Sequence, residues 1–217
     1  MLDLDRSVCY VKGMVGESLK APRERLLSAA NKLFYEEGIQ SVGIDRVIES
    51  AGVAKASLYS TFGSKDELVR AYLTQRMGER RQRVEQSMAG HTHPRARLLA
   101  IFAGLREVIA RPSFRGCAFQ RASAEGPSAA VSKTVCDQSR AWFRALLREL
   151  AQEAGAKDPA RLARQLVVLY DGVIASAQMD RDPSIGAEAR DMAATLIDAA
   201  CGAAPRAKKR RTPPPRG

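Results

Sequence analysis

One stretch limits the folds open to this chain: Gly43-Ile-Asp-Arg-Val-Ile-Glu-Ser-Ala-Gly-Val-Ala-Lys-Ala-Ser-Leu-Tyr-Ser-Thr-Phe-Gly-Ser-Lys65. Ile44, Val47, Ile48 and Ala51 recur at helical spacing, which predicts a short helix with one apolar face. Gly52 breaks the pattern where a left-handed turn residue costs least. Val53 fills the corner. A second helix then runs from about Ala54 to Phe62, with Leu58 and Phe62 facing inward. Lys55, Ser57, Tyr59 and Thr61 are left on or near its outer side. That face has a cation, hydroxyls and an aromatic with a polar tip, and it contributes no acid. A helix built only for solvent usually mixes both charge signs. One built for a phosphate-lined groove presents donors without carboxylates. Ser64, followed three residues later by Glu67, forms a capping box and starts a third helix. Lys65 falls in its first turn, against the helix dipole. A nearby phosphate explains that placement, and plain solvation is the alternative.

Leu58-Tyr59, Phe62 and Ser64-Lys65-Asp66-Glu67-Leu68 resemble the recognition helix and following helix of the tetracycline-repressor (TetR) family of bacterial transcriptional regulators. Gly52-Val53-Ala54-Lys55-Ala56-Ser57 fits the same pattern, and the match is dense from Arg23 to Tyr72. The resemblance implies an all-α fold. An N-terminal three-helix DNA-binding head carries the helix-turn-helix, and a C-terminal helical domain binds ligand and dimerises. The expected divisions are an arm at 1–20, the head at 21–68, the ligand and dimer domain at 69–202, and a basic tail at 203–217. The implied protein is a ligand-responsive regulator and not an enzyme, with no cofactor and no metal. It acts as a homodimer on a palindromic operator in double-stranded DNA. A small, largely apolar effector releases it, and repression is the family's usual logic.

Carried onto this sequence, the resemblance makes Lys55 the main base reader, with Ala56 able to touch a thymine methyl. Ser57, Tyr59, Thr61 and Lys65 grip phosphates. Many family members have a hydroxyl residue near the start of the second helix that bonds a phosphate. Here Gly43 and Ile44 stand there, so Ser41, the backbone amides or Arg46 must take over that contact.

The remaining chain reads as helices separated by clear breaks. Pro22 suits a helix first turn. Leu26, Leu27, Ala30, Leu33 and Phe34 form its buried stripe, and Gly38 ends it. The third helix of the head leads into a fourth that runs from about Lys65 to Arg83 or beyond. Its far half, with Arg76, Arg80, Arg81 and Arg83, reads as a solvated basic face. In the family this helix resembles a lever between head and ligand domain. Arg95 to Ala110 is apolar over a wide arc and predicts a central buried helix. Gly-Cys-Ala-Phe at 116–119 opens a short helix to Glu125, which the resemblance places beside a ligand cavity. Ser128 to Ala154 forms a long seventh helix, and Asp158-Pro159 and Ser184 open the last two.

Candidate cavity-lining residues are Phe102, Leu105, Cys117, Phe119, Trp142 and Tyr170, although periodicity does not separate lining from plain core. The last two helices carry many small residues, including Gly172, Ala175, Ala193 and Ala200. The resemblance makes them the homodimer interface; ordinary intrachain packing is the alternative.

The formal net charge of +11 points to an anionic partner. Arg206, Lys208, Lys209, Arg210, Arg211 and Arg216 supply much of that excess, so charge says less about the folded part. A nonspecific DNA binder driven by this tail is therefore one rival reading. No run approaches the length of apolar residues that a membrane span needs. The N-terminal stretch lacks a signal-peptide core, which predicts a cytoplasmic protein. Cys9, Cys117, Cys136 and Cys201 show no paired metal spacing and read as free thiols. Cys117 at a helix N-terminus suggests a redox or electrophile sensor, against the ordinary fate of a small buried residue. An enzyme using Cys117 with His91 or His93 lacks a third partner, and two histidines alternating in one loop are a weak metal signal.

Overall fold

The computed structural model describes residues 21–125 and 130–202, with 130 and 131 described by their backbone alone. The expected arm, the basic tail and the predicted helix start at Ser128 lie outside those residues. Among the described residues there are nine α-helices and no strands. They are α1 (Pro22–Glu37), α2 (Ile44–Ala51), α3 (Lys55–Phe62), α4 (Lys65–Met88) and α5 (Pro94–Ile109). After these come α6 (Ala118–Ala124), α7 (Ala130–Glu153), α8 (Pro159–Asp180) and α9 (Ile185–Cys201).

The helix boundaries follow local chemistry. Pro22 opens α1, where its missing N–H is no loss. Gly38 closes it at φ 101°, with its amide donating to the Phe34 carbonyl. Ser64 Oγ accepts from the Glu67 amide at 3.2 Å and starts α4, as the capping box predicts. Asp158 accepts from the Arg161 amide at 2.9 Å and starts α8.

The chain divides into two compact units, Met1–Glu85 with Pro112–Trp142, and Gln86–Arg111 with Phe143–Gly217. The first is built around Leu26, Leu33 and Phe34 of α1, Val47 of α2, Leu58 of α3, and Leu68 and Tyr72 of α4, all buried. The Phe34 and Tyr72 rings meet edge to face at 5.6 Å. Phe119 and Ala122 of α6 and Val135 and Cys136 of α7 belong to the same cluster.

The solvated basic face expected on the far half of α4 is corrected here. Arg80 is only 8% exposed. It donates to Ser139 Oγ of α7 at 3.4 Å and lies 6.0 Å from the Phe119 ring centroid of α6. Arg76 stacks on the Tyr35 ring at 4.0 Å, and Arg81 lies over Trp142 at 5.2 Å. Guanidinium groups suit aromatic faces and are weakly hydrated, so arginine tolerates this cover better than lysine. The residues that provide it are distant in sequence, which is why spacing along α4 alone misread the face.

In the second unit α9 packs on both α5 and α8. Phe102, Leu105, Phe143, Leu147, Leu166 and Ile197 are buried there. Arg95 donates to both carboxylate oxygens of Asp198, at 2.8 and 2.9 Å, tying the start of α5 to the end of α9. Hydrogen bonding to Arg95 holds the Asp198 carboxyl below its ordinary range. Where α9 begins, Gly186 lets the helix approach α5 closely. A β-carbon at Gly186 would stand 2.8 Å from Arg106 Cβ and 2.9 Å from its Cα.

Gly186→Ala is therefore expected to destabilise the protein. The helix-propensity gain of about 1 kcal/mol is outweighed by overpacking against backbone, typically about 1–3 kcal/mol. Denaturant unfolding measures the balance; an unchanged or raised midpoint would contradict the close α5–α9 approach.

Candidate nucleic-acid interface

The candidate interface is α2, its turn and α3. Gly52 sits at φ 61°, ψ 41°, the left-handed conformation predicted for it. Its amide reaches the Glu49 carbonyl at 3.0 Å, and the Val53 amide reaches Ile48 at 3.3 Å, which closes the turn. The α3 helix is only eight residues long, too short to persist alone in water. Leu58, wholly buried, is its anchor, and Val53 and Phe62 pack partly buried around the same core.

That anchoring decides which side chains face out. Lys55, Ala56 and Tyr59 are exposed, and Tyr59 retains 47% of its surface. Ser57, Thr61 and Lys65 are half-buried. The N-cap of α2 is Gly43, which offers no side-chain bond, while Ser41 and Arg46 nearby are exposed. Lys65 also borders a small pocket of about 90 Å³ with Gln40, Asp66, Glu125 and Ser132.

The electrostatics hold a feature that α3 alone does not reveal. Lys55 Nζ donates to Asp45 Oδ1 of α2 at 2.9 Å. That hydrogen bond, with the carboxylate's charge, pushes the Lys55 ammonium's pKa up. Arg46 pairs in the same way with Glu37 at the end of α1. Two cations assigned to DNA thus have carboxylate partners within their own unit. The missed signal was Asp45, ten residues before Lys55 and on another helix.

A second set of contacts joins α6 and its flanking residues to the end of α1 and the link after it. The Tyr35 hydroxyl donates to the Gly116 carbonyl at 3.0 Å and accepts from the Arg115 amide at 2.9 Å. Arg121 donates to the Tyr35 carbonyl. Glu125 Oε2 accepts from the Gln40 amide at 2.8 Å.

The six expected cavity residues fall in different units. Phe102 and Tyr170 meet edge to face at 6.2 Å in the second unit, where Leu105 is buried. Cys117, Phe119 and Trp142 belong to the first. Cys117 is half-buried at the α6 N-cap and makes no side-chain cap bond. Burial pushes the thiol of neighbouring Cys136 up, away from reactive thiolate. Among the described residues, no group of three His, Cys, Asp or Glu side chains is placed to hold a metal ion. No described helix is long and apolar enough to cross a membrane.

The last two helices carry an uncovered apolar surface. Val168, Gly172, Ala175 and Met179 share one face of α8 and all are exposed. Val168 and Met179 retain 70% and 82% of their surface, and Met192 of α9 retains 53%.

Known proteins resemble this chain in sequence and fold. A family model for bacterial regulatory proteins of the tetR family matches residues 26–72. A TetR-family transcriptional regulator from Streptomyces coelicolor is 32% identical with a TM-score of 0.77, over 83% of this chain and 96% of that one. A structure titled a putative tetR transcriptional regulator, from Streptomyces avermitilis, is 35% identical with a TM-score of 0.74, over 83% and 98%. The HTH-type transcriptional activator FasR of Mycolicibacterium smegmatis is 34% identical over 91 residues, 42% of either chain. The chain thus spans about two fifths of that curated relative's length.

Leu58→Ala should release α3 from the head. Such a truncation costs about 2–5 kcal/mol, and no other residue of α3 is fully buried. Amide hydrogen exchange should show α3 losing protection before α1 does. Equal loss across the first unit would mean that α3 is not separately anchored.

Proposed function

The chain belongs to the TetR family of bacterial regulatory proteins, and on that premise we propose that it is a DNA-binding transcriptional regulator controlled by a small molecule. Residues 21–68 form the DNA-reading head, and 69–202 form the part that binds effector and dimerises. Two heads of a homodimer enter successive major grooves of a palindromic operator. Occupancy represses transcription, and effector binding favours a head spacing that misfits DNA. Only a differential affinity for the two spacings gives such a switch.

The observation that carries this reading is the outer face of α3. Lys55, Ala56 and Tyr59 stand exposed around a helix held from beneath by Leu58, inside the family-matched segment. Lys55 reads a base, Ala56 contacts a thymine methyl, and Ser57, Tyr59, Thr61 and Lys65 hold phosphates. Ser41 and Arg46 serve the backbone at the start of α2. The effector is largely apolar, and the candidate contacts are Phe102, Leu105 and Tyr170 in the second unit and Cys117, Phe119 and Trp142 in the first.

Selection of duplexes from a random pool, repeated at two salt concentrations, tests the reading. The expected result is an enriched palindrome that survives the higher salt. Lys55→Ala should weaken binding to it roughly ten- to hundredfold and relax sequence preference. Lys65→Ala should instead lower the salt slope by about one ion. Binding that collapses with salt, with no enriched sequence, would leave only a nonspecific binder.

The exposed stripe of α8 supports dimerisation through the last two helices. Met179→Asp buries an unpaired charge in that interface. It should weaken the dimer by at least roughly tenfold, which corresponds to about 1.4 kcal/mol. Sedimentation equilibrium reads this directly, and an unaltered dimer would move the interface elsewhere.

A further inference from the structure

The α3 face contributes donors and no acid, yet the fold carries an acid to it. Asp45 is the second residue of α2 and Lys55 the first of α3. Ten positions apart, they are not neighbours along one helix. The left-handed turn at Gly52 brings the two helix starts together, and Nζ and Oδ1 meet at 2.9 Å. The pair is open to solvent: 61% of the Lys55 side chain and 83% of the Asp45 side chain are exposed. A pair so exposed and so easily screened does little to hold the fold. Removing Asp45 would relieve no packing and open no cavity. The carboxylate instead occupies the Lys55 ammonium, and a pair so exposed can be displaced by another anion.

We propose that Asp45 sets the DNA affinity of this head, acting as an internal competitor for Lys55. The role rests on the reading of α3 as the DNA-facing helix. In the free head the Asp45 carboxylate accepts the Lys55 ammonium. A random duplex held only through its backbone offers phosphates that must displace a carboxylate already in place. Asp45 itself repels those phosphates. One cation is thereby withheld from the sequence-independent part of binding, which is set by the number of phosphates neutralised. A duplex that presents a base acceptor within reach of Lys55 adds a directed hydrogen bond in the groove, and that bond replaces the carboxylate. Breaking the pair is a cost borne by every complex in which Lys55 engages DNA, so Asp45 weakens operator binding at least as much as nonspecific binding. Arg46, the other cation proposed to serve DNA from α2, is likewise paired within its own unit, with Glu37.

The test is a double-mutant cycle on the full chain, comprising wild type, Asp45→Asn, Lys55→Ala and the double variant. Fluorescence anisotropy is read with a short random-sequence duplex and with the operator duplex recovered by selection, across a series of salt concentrations. Asp45→Asn is expected to bind the random duplex several-fold more tightly, and its salt slope should steepen by about one ion. Operator affinity should rise at least as much, because the cost of breaking the pair belongs to the free head and is removed for both duplexes. In the Lys55→Ala background the same substitution should change the random-duplex affinity far less.

An unchanged affinity for the random duplex would overturn the proposal, as would an undiminished gain in the Lys55→Ala background, which marks plain charge removal. A loss confined to the operator would also overturn it, because Asp45 would then be a base contact and not a competitor. A wild type with no sequence preference removes the regulator reading, and the cycle on the random duplex then decides the Asp45 role by itself. Preserved preference with a flat cycle removes the Asp45 role alone. Asp45 is exposed, and circular dichroism of each variant confirms that the fold is intact.

Discussion

An eight-residue helix has no stability of its own in water, and the whole proposed DNA-facing surface depends on one. The α3 helix persists because Leu58 is inserted completely into a core that α1, α2 and α4 also build. Once that side chain is inward, helical geometry sends Lys55, Ala56 and Tyr59 outward without further instruction. The turn at Gly52 matters for the same reason. Its left-handed conformation sets the angle at which α2 delivers α3, and with it the encounter of Asp45 with Lys55.

The first unit is more polar inside than an apolar stripe suggests. Arg80 is buried against Ser139 and Phe119, and Arg76 is stacked on Tyr35. Tyr35 is a junction: its ring carries Arg76, its hydroxyl bonds the segment before α6, and its carbonyl accepts from Arg121 of α6. Glu125 adds a bond to the Gln40 amide just before α2. These contacts tie α6 to the end of α1 through directional bonds, which fail abruptly when stretched, whereas apolar contacts yield gradually.

The second unit relies on close approach and one bidentate ion pair. Gly186 and the buried alanines Ala189 and Ala193 let α9 settle against its neighbours. Arg95 and Asp198 then fasten the start of α5 to the end of α9. The opposite face of α8 keeps Val168 and Met179 in solvent, although burial of such groups is the main favourable term in association.

Helix identity and most helix ends were determined by the sequence alone, because caps and breakers act over three or four residues. Pro22, Gly38, Gly52, Ser64 with Glu67, and Asp158 each worked locally as their chemistry dictates. The inward Leu58 and the outward Lys55 and Tyr59 were legible for the same reason, since both follow from one helical period. The tertiary structure alone decided whatever joins residues far apart in the chain. It buried Arg80 under α6 and α7, made Tyr35 a junction, put the expected cavity residues in different units, and set a carboxylate against Lys55. Periodicity records which face of a helix is apolar and is silent about which polar groups the other helices bring to it.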